Sequence, residues 1–381
     1  MTANVSRRSR GPGAWDLMML ALAAPLVAFA VILARAILSA QPLGIDFLPM
    51  WTGARIAAQD PARLYDAAAV TQAQHWLLGG LTDLRPFPYP PSALLVFGPL
   101  ARLPFWPAYW IWTGLGLAAF LTAGLRLGAG RPWLAAVLVF AAPAAVSGML
   151  AGQSVFLIGG LVMAAIPVLD RRPILAGLLL GVAAAIKPSL LIAAPILLAV
   201  GGHWRALLSS IAAGSVMIAA SALTYGVGPW QAWIGSAEAF EAQVLGDARL
   251  LKMVVSPAGP LRQIGVTGPL LLAVQLVCAL IVLALAAAAF RRESSARLRL
   301  ITLLGAGLMA TPYAMNYDTV LLAPAAVAGL LGASAGRQRM LALAAFAALL
   351  LAGFPFVGGV ALALYLALEA GRALAVARAA S

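Results

Sequence analysis

Charge is scarce in this chain. Only 10% of its 381 residues are Asp, Glu, Lys or Arg, against 63% hydrophobic residues. A soluble domain of this size needs more polar surface than that to cover itself, so a water-soluble globular enzyme is excluded. Acids are the scarcer sign, twelve against 25 basic residues. There is one cysteine, Cys278, within an apolar run, so no intrachain disulfide can form and the thiol reads as packing. The two histidines, His75 and His203, are far apart, and no His/Cys spacing suits zinc. Neither a metal nor another cofactor is expected. Low-complexity tracts, a soluble domain and an internal repeat are also missing.

What is present is a succession of apolar runs, many of about 18 to 22 residues, long enough to cross a bilayer as helices. The net charge is +13, but the basic residues are not gathered into a nucleic-acid-binding surface. They stand in short groups between apolar runs: Arg7, Arg8 and Arg10; Arg126 and Arg131; Arg171 and Arg172; Arg291, Arg292, Arg297 and Arg299; Arg337 and Arg339. That is how cytoplasmic loops are marked. The pattern predicts an all-α polytopic membrane protein with about twelve spans, at 17–38, 106–126, 132–150, 154–169, 174–186, 188–200, 204–224, 268–290, 298–313, 318–333, 340–354 and 356–372. The first run is longer than the hydrophobic core of a signal peptide and is read as a retained anchor.

With the N-terminus inside, sixteen of the 25 basic residues and four of the twelve acids fall on the cytoplasmic side, as the positive-inside rule requires. Residues 1–16 are then a basic cytoplasmic start and 17–381 one integral membrane unit. Within it lie a module over 17–224, large outer loops at 39–105 and 225–267, and C-terminal helices over 268–372. The segment 91–103, "PSALLVFGPLARL", is too short to span untilted and is expected to lie at the membrane surface or re-enter it. Long loops gathered on one face of a bundle usually carry function.

Several polar residues map to that outer face. Asp46 opens "DFLPMWTGARIAA", where two readings stand side by side: an N-cap for a surface helix, or a general base at the membrane boundary. Gln153 ends a span after small residues. Lys187, followed by proline, divides an apolar stretch into two short helices, and an ionisable group there is costly unless it has a purpose or reaches the interface. Its simplest purpose is to meet an anionic ligand. "TPYAMNYD" groups Tyr313, Asn316, Tyr317 and Asp318 at another outer helix end, where an aromatic belt with a capping aspartate is the plain alternative. Arg262 lies in the second outer loop. Trp51, Tyr89, Trp230 and Trp233, aromatic residues of the outer loops, are candidates to hold a substrate or to anchor at the interface.

In order, "DFLPMWTGARIAAQDPARLYD", "PFPYPPSALLVFGPLARLP", "GQSVFLIGGLVMA", "RRPILAGLLLGVAAAIKPSLLIAAPILL", "SPAGPLRQIGV" and "TPYAMNYDTVLLAP" resemble glycosyltransferase family 87, over about residues 40 to 325. The resemblance implies a GT-C-type membrane bundle with juxtamembrane helices in the first outer loop. It also implies a lipid-linked sugar donor, usually a polyprenyl phosphate, in place of a nucleotide sugar; members of the family include mannosyltransferases that use polyprenyl-phosphate mannose. Asp46, Gln153, Lys187 and the Tyr317–Asp318 pair match family positions; where many relatives carry a histidine or acid before Tyr-Asp, this chain has Asn316.

Together these imply an inverting hexosyltransferase of the cell membrane, working on the outer face. Asp46 would be the base, Lys187, Arg262 and Gln153 would hold the donor phosphate, and Trp51, Arg55, Tyr89, Tyr313, Asn316, Tyr317 and Asp318 would contact substrate. The expected partners are the lipid-linked donor, a lipid or glycan acceptor and membrane lipids, with no nucleic acid. The rival reading is a transporter or lipid flippase, although such proteins set their ionisable groups near the bilayer midplane between repeats.

Overall fold

The computed structural model describes residues 43–78, 85–127, 131–293, 295–334 and 336–380. The expected first span at 17–38, the basic start and Asp83 lie outside the described residues. Among those residues there is no strand, only an isolated antiparallel bridge between Val254 and Met315.

The principal helices are α1 (Phe47–Gln59), α2 (Ala67–Leu78), α3 (Phe105–Gly124), α4 (Pro132–Phe140), α5 (Pro143–Ala151), α6 (Val155–Ala165), α7 (Pro173–Ile186), α8 (Ala194–Val200), α9 (Trp204–Tyr225), α10 (Gly228–Gly246), α11 (Gly268–Phe290), α12 (Ala296–Ala310), α13 (Ala323–Leu331), α14 (Arg337–Ala352) and α15 (Gly358–Ala380). Proline supplies the first turn of α4, α5, α7 and α10, where its missing N–H would have had no partner and its fixed φ suits the helix.

Each expected span within the described residues falls on helix, but length separates them. Four helices, Phe105–Leu127, Trp204–Tyr225, Gly268–Phe290 and Gly358–Ala375, are long and apolar enough to cross a membrane; α4 and α5 form a fifth only if their 74° bend is one broken span. Val155–Val168, Pro173–Ile186, Pro188–Val200 and Asn316–Leu331 are apolar but shorter. The segment 91–103 breaks into short turns of 3₁₀ and α helix, with Ala93, Leu94 and Phe97 buried.

Small residues let these helices approach closely, the usual device where apolar surface alone cannot drive association. Cβ atoms at Gly177 and Gly181 of α7 would run into the backbone of α9 at Ala206 and Ser210. The sides of α9 and α11 that face away from the bundle carry exposed Leu208, Ile211, Val216 and Leu223, and Leu272, Leu276, Leu280 and Leu285, a composition suited to lipid. One end of the bundle is stapled by Arg299–Asp170 at 2.8 Å and by Glu369, which takes Arg297 at 3.0 Å and Arg372 at 2.8 Å. The other polar cluster lies at the opposite end, where α1, α5, α7 and the 313–318 segment meet.

Candidate active site

The placement of Asp46 begins with two glycines. Gly44 (φ +76°) and Gly152 (φ +74°) hold left-handed conformations that cost other residues strain. They allow the chain entering α1 to lie along the end of α5: Gly44 N–H donates to Leu150 O at 2.8 Å and Asp46 N–H to Ala151 O at 3.0 Å. Tyr109 donates its hydroxyl to the Met149 and Leu150 carbonyls, and the Trp112 indole donates to Gly152 O at 2.9 Å. The fit is tight, since a Cβ on Gly152 would stand 2.7 Å from Cβ of Phe47. Gln153 is thereby delivered to Asp46.

The carboxylate of Asp46 does not cap α1. It turns instead to Gln153, whose Nε2 donates to Oδ2 at 2.8 Å, and to Arg85, whose Nη1 meets Oδ1 at 3.2 Å. The capping alternative for Asp46 is thus removed. Burial pushes its pKa above the ordinary carboxylate range; Arg85, the Gln153 hydrogen bond and Lys187 oppose that rise, while Asp318 adds to it. Asp46 is therefore close enough to both Lys187 and Asp318 to feel their charges.

Lys187 stands where Pro188 stops α7. The break leaves carbonyls without helical partners; the Ser92 hydroxyl takes that of Ala185 at 2.6 Å. Lys187 Nζ meets Asp318 Oδ1 at 2.7 Å, with only 17% and 2% of the side chains exposed, and lies 5.7 Å from the centre of the Tyr317 ring. The other oxygen of Asp318 accepts the Met315 N–H at 3.0 Å. The capping expectation thus holds for one oxygen, and ion pairing takes the other. The segment is fixed from outside by the second loop: Val255 N–H donates to Ala314 O and Asn316 N–H to Met253 O, both at 2.7 Å.

Three tyrosines complete the cluster. Tyr89 shares a hydrogen bond with Ser154 at 3.0 Å, and both Tyr89 and Tyr317 lie within electrostatic reach of Asp46 and Asp318. Tyr313 is close to Asp318 and packs its ring on Phe240 of α10, 5.4 Å between centroids. Helix α10 thus lies against the 313–317 segment, with its buried Val244 against Val254 and Met315.

Other expected contacts are placed differently. Trp51 is 3% exposed, packs edge-on against Phe105 and gives its N–H to Leu103 O; five positions after Asp46, it falls on another face of α1. Arg55 stacks on Trp51 at 4.7 Å. In this arrangement Trp51 and Arg55 pack against each other and against α3 and the Gly98–Arg102 turn, apart from the Asp46 cluster. Asn316 donates Nδ2 to Gly353 O at 2.8 Å, anchoring the turn after α14. Arg262 donates Nε to Leu245 O at 3.2 Å, tying down the end of α10, and one N–H of the Gln153 amide goes to Asp46. Arg85 is the residue that sequence reasoning passed over. Its only signal was an arginine pinned in front of the rigid "PFPYPP" run. No group of three or more His, Cys, Asp or Glu that could hold a metal occurs among the described residues.

A helical, apolar chain that gathers two carboxylates, two cations and three tyrosines at one end of its bundle is a membrane protein with a site for a charged, polar ligand. The family model of glycosyltransferase family 87 matches residues 87–312, more than half of the chain, and the chain belongs to that family: it is a membrane glycosyltransferase. The matched stretch contains Tyr89, Gln153 and Lys187, and stops short of Asp46 on one side and Tyr313 on the other. No curated protein and no solved structure matches the chain.

Proposed function

We propose that this protein transfers a hexose, mannose in the first instance, from a polyprenyl-phosphate donor to an acceptor hydroxyl, with inversion, at the outer face of the cell membrane. The bundle then threads about twelve times with its N-terminus inside, and Asp46 stands at the outer lip. The observation that carries the reading is the turn of the Asp46 carboxylate away from its own helix and into a cluster with Lys187, Asp318 and the tyrosines.

The chemistry follows from those groups. Asp46 accepts the acceptor's hydroxyl proton as the new O–C bond forms at the anomeric carbon. The bond from that carbon to the phosphate oxygen breaks, and its electron pair leaves with the prenyl phosphate. A phosphate leaves without being protonated, so one base suffices, where hydrolysis of a glycoside uses two carboxyl groups. Lys187 stabilises the charge developing on the leaving group, with Asp318 and the Tyr317 ring keeping the ammonium in place. Gln153 steadies the base; Arg262 supports the site at one remove through α10. Tyr89, Tyr313 and Tyr317 offer rings and hydroxyls to the sugar.

The test is purified protein given a radiolabelled polyprenyl-phosphate hexose and membrane acceptors. Labelled product with release of prenyl phosphate is expected; uptake of intact label into vesicles without transfer would replace the enzyme by a transporter.

A further inference from the structure

Both cations of the cluster are already bound to carboxylates, Lys187 to Asp318 and Arg85 to Asp46. The four charges cancel, so an arriving phosphate meets no uncompensated cation unless one of them is released from its carboxylate. We propose that Arg85 is that movable cation: it bolts Asp46 while the site is empty, and the donor phosphate draws it away and frees the base. This rests on the reading that the ligand is a glycosyl phosphate.

The construction around Arg85 separates a fixed backbone from a free head. Gln74, 6% exposed, gives both ends of its amide to Arg85: Nε2 donates to its carbonyl at 2.6 Å, and Oε1 accepts its N–H at 3.2 Å. A buried glutamine devoted to one residue's main chain fixes where the side chain starts. The side chain itself is 27% exposed and meets Asp46 through a single nitrogen at 3.2 Å. That is longer than usual for a charge-assisted bond, and it lacks the two-pronged geometry that arginine makes with a carboxylate at its best.

The phosphodiester of the donor offers the same guanidinium two non-bridging oxygens, the paired acceptors that arginine binds two-pronged, where Asp46 takes only one nitrogen at 3.2 Å. The prenyl phosphate left after transfer carries a further oxygen and more charge. When Arg85 leaves, Asp46 keeps its orientation, because Gln153 holds the other oxygen at 2.8 Å. Asp247, in the turn after α10, is also within electrostatic reach of Arg85; it is a second anion that shares the guanidinium on the loop side. The bolt ties exposure of the base to arrival of the donor. Without donor, Asp46 is neutralised and activates no water.

Direct binding of a short-chain prenyl phosphate, without sugar, to the full-length protein in detergent tests this independently of turnover. Arg85→Gln is expected to weaken binding by about tenfold or more, as loss of a charge-assisted contact does, with Arg85→Lys in between. Asp46→Asn is expected to bind more tightly than the wild type, because the guanidinium is released from its carboxylate. That gain should vanish in the double variant Asp46→Asn/Arg85→Gln. Equal affinities for wild type and Arg85→Gln overturn the proposal. So does a gain from Asp46→Asn that survives without Arg85, which would be a field effect owing nothing to the bolt. A wild-type protein that binds no prenyl phosphate removes the donor reading and this proposal together, whereas wild-type binding with unchanged variants removes the proposal alone.

Discussion

The Lys187–Asp318 pair separates what the fold needs from what the chemistry needs. Replacing Lys187 with Met leaves a carboxylate that is 2% exposed without its counter-ion, and breaking a buried pair from one side costs about 3–5 kcal/mol. The lower end applies here, about 3 kcal/mol, since Asp318 keeps the Met315 N–H and Lys187 is 17% exposed. Asp318→Asn should cost a similar amount by stranding the ammonium. In the double variant Lys187→Met/Asp318→Asn no charge is stranded, and replacing a buried pair by uncharged groups is often close to neutral. Thermal unfolding in detergent should therefore fall clearly for each single variant and return most of the way in the double. Sugar transfer should not return, because the leaving phosphate still lacks Lys187. Recovery of activity along with stability would make the pair a structural staple and remove Lys187 from the mechanism.

Further outcomes follow from neighbouring contacts. Burial already raises the pKa of Asp46 and Arg85 opposes the rise, so Arg85→Gln should push it higher. A base must be ionised to act, so the acid limb of kcat/KM against pH should move to higher pH; a profile that stays in place would show that Arg85 does not govern the base. Gly152→Ala forces a side chain into a left-handed conformation and toward Cβ of Phe47, a cost of about 1–3 kcal/mol. It should lower turnover out of proportion to melting temperature, since Gln153 is carried by the same turn. Gly181→Leu should depress stability in detergent through the contact with Ser210 of α9 and leave the donor KM of the folded fraction unchanged.

Much of the cluster was legible because polarity is so rare in this chain. Lys187 and Gln153 stood out as the polar residues of long apolar stretches, and Lys187–Pro188 announced a broken helix that the structure contains. Asp318 and its tyrosines were readable as a group. Sequence could not decide whether Asp46 caps its helix, because that depends on which way one side chain turns; the contacts to Gln153 and Arg85 decide it. Arg85 was hidden among ordinary outer-loop charges, and only the Gln74 clamp marks it. Trp51 was read as an outer-loop aromatic, which says nothing of the helix face it takes; on α1 it turns to Phe105 and Leu103. The periodicity of short apolar segments located the helices well, but apolarity cannot tell a complete crossing from a half-length helix buried among others, such as Pro173–Ile186.

The most direct measurement is a single-turnover reaction of Asp46→Asn loaded with polyprenyl-phosphate hexose and then mixed with acceptor. The account predicts a stable, donor-bound protein that forms no glycosylated product across the pH range. Product appearing at a rate near that of the wild type would contradict it, because the other carboxylate of the cluster, Asp318, has its oxygens on Lys187 and the Met315 N–H.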